Sequence, residues 1–139
     1  MNALPLAVFD TNVVVSGLLK PHGVPGRLLD MLLSRQARLV YDDRVLREYF
    51  EVLTRAKFGF GEESLRVFFG IFPFQERVVA QPWCHGQLPD PTDSPFLEVA
   101  LAGGVPLVTG NLRHFPHGSR GPVEVRSPAD WMAEVFGGG

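Results

Sequence analysis

The sequence has little that would fix a fold by covalent bonds or attract a charged partner. Its one cysteine, Cys84, excludes an internal disulfide and favours a reducing, cytoplasmic environment. No apolar run approaches the length of a membrane span, and no basic segment followed by an apolar stretch opens the chain. The net charge of −2 excludes a global positive field, so a nucleic-acid partner must be held by a local patch or through metal ions.

What the sequence does contain is enough apolar material for one globular domain. Its 139 residues are 45% hydrophobic and 20% charged, ordinary values for a protein with one core, and its eleven phenylalanines predict a generous interior. We therefore expect a single domain over residues 1–136 and a flexible glycine tail over residues 137–139.

Short apolar strands alternate with helical segments along the chain. The apolar run 13–19, which Ser16 and Gly17 interrupt, is ambiguous. This alternation predicts an α/β fold with helices on both faces of a parallel sheet. Strands are predicted at residues 6–9, 39–41, 78–80, 105–109 and 123–125, and helices at 25–34, 43–54 with Asp42 or Asp43 as cap, 62–71, 96–102, and 128–136 with Ser127 as cap.

Polar residues follow two of the predicted strands. Asp10 comes directly after the first strand, and Thr109 and Asn111 lie at the end of the strand that begins at residue 105. Ligands of open α/β sheets bind beyond the carboxyl ends of the strands, so these residues converge if the two strands are neighbours. A role in a turn or a helix cap explains Asp10 equally well when it is taken alone.

Glu48 lies near the edge of an apolar stripe on a predicted helix. At about 100° per residue, the stripe consists of Val45, Leu46, Tyr49, Phe50, Val52 and Leu53. Glu48 falls beside Val52, where it can lean toward a cleft, whereas Glu51 falls on the opposite, solvated face. The alternative is a surface ion pair between Glu48 and Arg44 at i, i+4, worth about 0.3–0.5 kcal/mol.

Two more aspartates lie in the segment DPTDSPFLEVAL. Ser94 before Pro95 is a natural helix cap, which leaves Asp93 just outside the helix and Asp90 in the preceding loop. A competing assignment makes Asp93 the cap. Carboxylates gathered from separate segments repel one another unless a cation neutralises them, and Mg²⁺ or Mn²⁺ suits oxygen ligands. Such an ion binds phosphate oxygens and lowers the pKa of a water, as phosphodiester hydrolysis requires.

Four segments together resemble the PIN-domain family, the small metal-dependent nucleases that include many prokaryotic toxin–antitoxin toxins. The segments are FDTNVVVSGLL, REYFEVLTRAKF, DPTDSPFLEVAL and LVTGNLRHF, and they occur in the family's order and at its usual spacing. The resemblance covers nearly the whole chain. It implies a three-layer α/β/α sandwich on a mainly parallel sheet, with acidic residues around one or two divalent cations, Mg²⁺ or Mn²⁺.

The resemblance also implies roles for individual residues. Asp10, Glu48 and Asp93 correspond to the catalytic metal ligands, and Asp90 corresponds to a further acidic ligand. Positions that support the first aspartate or contact substrate are Asn12, Ser16, Thr109, Asn111 and Arg113.

The chain departs from the family at the fourth acidic position. Many members have aspartate there, whereas this chain has Asn111, and position 94, which is often acidic, is Ser94. Asparagine offers a carbonyl oxygen but no negative charge, so we expect weaker metal affinity or reliance on substrate phosphates. Arg44 and Arg113 are candidates for phosphate contacts.

The function implied by the resemblance is a cytoplasmic endoribonuclease that hydrolyses RNA with metal-activated water, as the toxin of a toxin–antitoxin system. Its implied partners are RNA, an antitoxin protein and a second copy of the chain in a homodimer, with no membrane. The aromatic segment at 68–74 is interpreted either as core packing or as a surface for such partners. The alternative function is a catalytically weak or inactive module that binds RNA or protein for regulation.

Other kinds of site fit the sequence less well. A haloacid-dehalogenase-like phosphotransferase needs a second aspartate two residues after the first, where Asn12 stands, and no dinucleotide or P-loop motif is present. Cys84, His85, His114 and His117 match no standard zinc spacing. Of these residues, His114 is kept as a candidate for a phosphate contact because it follows the expected edge of the site.

Overall fold

Four parallel strands form the centre of the fold in the computed structural model, which describes residues 4–72, 74–83 and 87–137. The strands are β1 (Leu6–Phe9), β2 (Arg38–Leu39), β3 (Leu107–Val108) and β4 (Val125–Arg126). They are hydrogen-bonded in the order β2-β1-β3-β4, and every pairing is parallel. In the register, Leu6 lies opposite Arg38, Val8 opposite Leu107, and Leu107 opposite Val125.

Six α-helices connect and flank these strands. They are α1 (Thr11–Leu19), α2 (Val24–Leu33), α3 (Asp43–Leu53), α4 (Glu62–Phe69), α5 (Ser94–Gly103) and α6 (Pro128–Phe136). Local chemistry explains several of their ends. The side chains of Asp42 and Ser127 accept hydrogen bonds from the amides of Val45 and Asp130, as N-caps do. Gly104 ends α5 with φ 64°, a left-handed conformation that favours glycine.

The helices form the outer layers of an α/β/α sandwich, which confirms the predicted fold class. Helix α2 packs against α1 and α6, whereas α5 packs against β1, β3 and α3. Because β1 is covered by helices and paired on both edges, Ala7, Val8 and Phe9 are almost completely buried. The Trp131 ring of α6 lies edge-on to Phe9, with ring centroids 5.4 Å apart.

The ambiguous run 13–19 is helical, and the strand predicted at 78–80 is absent. In that region Arg77 forms a single parallel bridge with Tyr41, and the Val78 amide donates to the Tyr41 carbonyl at 2.8 Å. The sheet edge offers no longer pairing there because β2 has already ended, and Val79 is 74% exposed. The prediction was wrong because a strand needs a neighbouring strand for its backbone hydrogen bonds, and an apolar sequence does not guarantee one.

The aromatic residues near 68–74 divide between the core and the surface. Phe68 is buried, whereas Phe69 and Phe72 are partly exposed and line an apolar groove together with Leu46 and Phe50. Phe50 belongs to the predicted apolar stripe of α3, yet it is 58% exposed. Phe50 instead packs against Phe69, with ring centroids 5.9 Å apart, because α4 covers only part of this face.

Some predictions concern residues that the structure does not describe. Pro73, Cys84, His85 and the last two glycines of the predicted tail lie outside the described residues. Over the described parts of the chain, every helix is too short or too polar to cross a lipid bilayer.

Candidate functional site

The sheet has a topological switch point between its two central strands. From β1 the chain connects to β2 on one side, and it later returns to place β3 on the other side. In open parallel sheets the crevice at the carboxyl ends of two such strands is the usual ligand site. Asp10 follows β1 and Thr109 follows β3 at this crevice, and the Asp10 amide donates to the Val108 carbonyl at 2.9 Å.

Asp10 is a buried carboxylate held from the neighbouring strand. The Thr109 hydroxyl donates to Oδ2 of Asp10 at 2.7 Å. Asp10 occupies the N-cap position of α1, yet its side chain makes no capping hydrogen bond. Burial raises the pKa of the Asp10 carboxyl, although the Thr109 hydrogen bond opposes this shift. A cap or turn residue does not need such burial, and the structure therefore favours the site interpretation.

The predicted supporting residues differ in how they reach this crevice. The Asn12 side-chain oxygen accepts from the Gly110 amide at 3.1 Å and ties the start of α1 to the loop after β3. The backbone amide of Asn111 donates to the Thr109 hydroxyl at 3.0 Å. Ser16 is exposed on α1, and within the described part of the chain its side chain forms no hydrogen bond with Asp10.

Helix α3 brings Glu48 to the same crevice. The Thr11 hydroxyl donates a hydrogen bond to Oε2 of Glu48, and the buried Tyr49 hydroxyl donates to the Phe9 carbonyl at the end of β1. These bonds fix α3 against the site edge. Burial raises the pKa of Glu48, and the negative charges of Asp10 and Asp90 add to this shift.

Asp93 and Asp90 enter the site from a 3₁₀ turn, Pro91–Asp93, that runs directly into α5. Because the turn continues into the helix, Ser94 is already helical and Asp93 has the N-cap position with φ −82° and ψ −8°. The assignment of Ser94 as the cap was therefore wrong, and the competing assignment of Asp93 to the N-cap position is confirmed. The Asp93 side chain makes no capping bond, whereas Asp90 caps the turn by accepting from the Thr92 amide at 3.0 Å and hydroxyl at 2.7 Å.

Asp93 is the most perturbed carboxyl group of the cluster. Burial and the nearby charges of Asp10 and Asp90 raise its pKa to about 6. Nδ1 of His114 lies 3.1 Å from Oδ2 of Asp93. Asp93 is thus disfavoured as a charged group by burial and by its acidic neighbours, and the His114 ring contacts it.

Arg44 does not have the roles considered for it from the sequence. Its Nε donates to Asp42 at 2.8 Å, and its Nη1 donates to Glu98 at 2.6 Å, so it does not pair with Glu48 and is not free to bind phosphate. Glu98 is buried and also accepts from the Trp83 amide at 3.2 Å. Sequence analysis missed Glu98, although a single charge inside the apolar run PFLEVAL signals a buried ion pair.

Arg113 lies beside the crevice and faces solvent. It belongs to the 3₁₀ turn Leu112–His114 that follows β3, and it is exposed. Over the described ranges it forms no salt bridge with an acidic residue. Its guanidinium group is therefore available to an anionic ligand.

The donor set suits a hard divalent cation. Within residues 4–72, 74–83 and 87–137, no three Asp, Glu, His or Cys side chains are already gathered tightly enough to form a metal site. The pKa values of Asp10, Glu48 and Asp93 are nevertheless raised, chiefly because burial disfavours their charged forms. Mg²⁺ usually keeps several of its waters and binds through one or two carboxylates, so a loosely gathered cluster of this kind fits it chemically.

Comparisons with known proteins agree with this architecture. The sequence model of the PIN domain matches residues 7–113, which span β1 through the turn after β3. An uncharacterized protein of Methanocaldococcus jannaschii is 25% identical over 107 residues, covering 75% of this chain and 69% of that protein. The matched region contains all four acidic residues of the crevice.

Proposed function

Because the chain belongs to the PIN-domain family, whose members are generally nucleases, we propose that it is an endoribonuclease dependent on Mg²⁺ or Mn²⁺. The observation that supports this proposal is that Asp10, Glu48 and Asp93 all approach the carboxyl ends of β1 and β3, where Thr109, Thr11 and His114 contact them. All three are desolvated and have raised pKa values. Burying charged carboxylates together lowers the stability of the fold, and a bound cation offsets this loss by neutralising them. This behaviour is expected of a metal site.

In this mechanism the three carboxylates would hold the cation, and Asp90 would contribute from the more exposed side. The Thr109 and Thr11 hydroxyls fix the orientation of Asp10 and Glu48 by donating hydrogen bonds to them. When bound, the ion supplies positive charge to phosphate oxygens and activates water for attack on the phosphodiester. Second-sphere donors of this kind typically change metal affinity or activity about 10- to 100-fold.

Substrate contacts are assigned to the loop after β3. Arg113 is exposed beside the crevice and can pair with an RNA phosphate, since its fork of donors matches phosphate oxygens. Asn111 supplies an amide in place of a charged group, and Asn12 holds the same loop through the Gly110 amide. Binding by local contacts agrees with the net charge of −2, which provides no general attraction for RNA.

The cellular role we propose is that of a cytoplasmic toxin controlled by an antitoxin protein. The apolar groove lined by Leu46, Phe50, Phe69 and Phe72 supports an interaction with a protein, either an antitoxin or a second copy of the chain in a homodimer. Light scattering of the purified protein, alone and with a co-expressed partner, separates the two assemblies.

The proposal is tested by RNA cleavage with purified protein. Wild type, Asp10→Asn and the control Asp30→Asn, which removes an exposed carboxylate on α2, are assayed with Mn²⁺, Mg²⁺ or chelator. We expect cleavage by wild type and Asp30→Asn only with metal, and at least a 100-fold loss for Asp10→Asn. Equal cleavage by all three proteins would indicate a contaminating nuclease.

A second candidate function is a regulatory module that binds RNA without cutting it. Asn111 favours this candidate, because this residue of the loop after β3 has an uncharged side chain where a carboxylate would add to metal affinity. RNA binding by wild type in a gel-shift assay, without turnover at any metal concentration, would support the module and contradict the nuclease.

A further inference from the structure

We propose that His114 is a ligand of the metal ion and that it makes the site prefer Mn²⁺ or another transition-metal ion over Mg²⁺. This inference rests on the proposed function, since it concerns the ion that the carboxylates hold. The geometric starting point is the contact between Nδ1 of His114 and Oδ2 of Asp93 at 3.1 Å.

That distance fits two ligands of one ion. Adjacent corners of an octahedron with bonds of about 2.1 Å lie about 3.0 Å apart, so Nδ1 and Oδ2 can bind the same cation with little movement. The same separation also fits a simple hydrogen bond or ion pair. The distance alone therefore does not distinguish metal ligation from a hydrogen bond, whereas the environment of the ring favours ligation.

The segment that carries His114 contacts two of the carboxylates. His114 ends the 3₁₀ turn that follows β3, and its backbone amide donates to the Asn111 carbonyl at 3.1 Å. Five residues earlier in the same segment, the Thr109 hydroxyl donates to Asp10, while the His114 ring contacts Asp93. The segment that carries the ring therefore reaches both of the aspartates that are proposed to hold the ion.

An imidazole ligand changes which ion is favoured. Mg²⁺ strongly prefers oxygen ligands, whereas affinity for nitrogen ligands rises along the first-row transition metals from Mn²⁺ onward. The carboxylates alone favour hard ions without discriminating strongly among them. Adding one nitrogen donor therefore shifts the preference toward Mn²⁺ or Co²⁺.

Pulsed electron paramagnetic resonance of bound Mn²⁺ tests the inference directly, because a coordinated imidazole nitrogen modulates the electron spin echo. The proteins are wild type, His114→Ala, His114→Gln and the control His22→Ala, which removes an exposed histidine between α1 and α2. We expect nitrogen modulation in wild type and His22→Ala and its loss in both His114 variants. The second variant keeps the test valid if the first folds poorly.

Titration calorimetry gives an independent measurement. We expect both His114 variants to lose about 10- to 100-fold in Mn²⁺ affinity while Mg²⁺ affinity changes little. His114→Asp should reverse the preference because it replaces the nitrogen donor with a carboxylate oxygen.

The possible failures are distinguishable. Bound Mn²⁺ without nitrogen modulation in wild type, or modulation that persists in the His114 variants, overturns the inference and leaves the proposed nuclease intact. Wild type that binds neither Mn²⁺ nor Mg²⁺ overturns both.

Discussion

At the scale of single residues, the site is defined by charge that the fold places where water is scarce. Asp10 and Asp93 are buried, and the hydrogen bonds to Asp10 and Glu48 come from hydroxyl groups, which add no positive charge. In the absence of a cation these carboxylates oppose folding, because burial and mutual repulsion both disfavour their charged forms. The loss of stability that these carboxylates cause without a cation is therefore a measurable test of their proposed role as metal ligands.

Asp10→Asn should stabilise the metal-free protein. The substitution removes a desolvated charge but keeps an oxygen that can accept from the Thr109 hydroxyl. In chelator at pH 7.5 we expect a gain of about 1 kcal/mol, or a rise of about 3–5 °C in the melting temperature. Calorimetry with and without Mn²⁺ measures the difference in melting temperature between the variant and wild type. With Mn²⁺ the variant should lose its advantage, because the ion stabilises only wild type. A lower melting temperature for the variant in chelator would contradict this account.

At the scale of elements, α3 connects the site to the rest of the fold. Its cap Asp42 begins the helix, Tyr49 attaches it to the end of β1, and Arg44 joins it to Glu98 of α5. Glu48 lies on α3 between Arg44 and Tyr49, so these contacts restrain the part of the helix that carries it. The helix itself was predictable from its cap and apolar stripe, whereas the partners of Arg44 were not, because Glu98 is 54 residues away in the chain.

The exposed and buried parts of the apolar stripe on α3 should respond differently to truncation. Leu53→Ala removes a buried side chain and should lower the free energy of unfolding by about 2–5 kcal/mol. Phe50→Ala removes a side chain that is 58% exposed, and its cost should stay below about 1 kcal/mol. Urea denaturation of the two variants measures both values. Equal losses would mean that Phe50 is covered in solution, for example by a second copy of the chain.

The link between α3 and α5 should appear as an interaction between two substitutions. Arg44→Met leaves Glu98 and Asp42 without their cation, and we expect a loss of about 1–3 kcal/mol because the arginine side chain is itself 39% exposed. Adding Glu98→Gln, which can still accept from the Trp83 amide, should recover part of that loss. Chemical denaturation of the two single variants and the double variant gives the coupling. Additive losses would mean that the pair contributes nothing specific.

At the scale of the whole molecule, the sequence predicted the class of fold and most of its helices. The alternation of strands and helices correctly predicted a parallel sheet. Asp10 and Thr109 each follow a strand, and this position predicted that they would lie close together if the two strands were neighbours. Features set by tertiary neighbours were not predictable from local pattern. The segment at 78–80 lacked a strand to pair with, and the buried partner of Arg44 on α5 could not be read from either helix alone.

The stability of the whole metal-free molecule should depend on pH through the same cluster. The pKa of Asp93 is raised to about 6 in the folded protein from an ordinary value of 3.8, so the folded state binds more protons than the unfolded state between these values. Stability from this group is therefore fully present below about pH 4 and is lost as pH rises through about 6.

Comparison with Asp93→Asn isolates this contribution. In chelator the two proteins should be about equally stable near pH 4, and the variant should be more stable than wild type at pH 7.5, by on the order of 1–3 kcal/mol. Thermal unfolding at a series of pH values measures the difference. A difference that does not change with pH would show that Asp93 titrates normally.

The pairing of β1 with β3 has a consequence for synthesis on the ribosome. The hydrogen bond from Thr109 to Asp10 joins residues 99 positions apart, and the strand that fixes Asp10 from the side is translated long after Asp10 itself. A polypeptide released before β3 is made has neither that strand nor the loop that carries Asn111 and His114. A chain released before β3 therefore lacks the assembled crevice, and the proposed nuclease activity requires translation at least as far as His114.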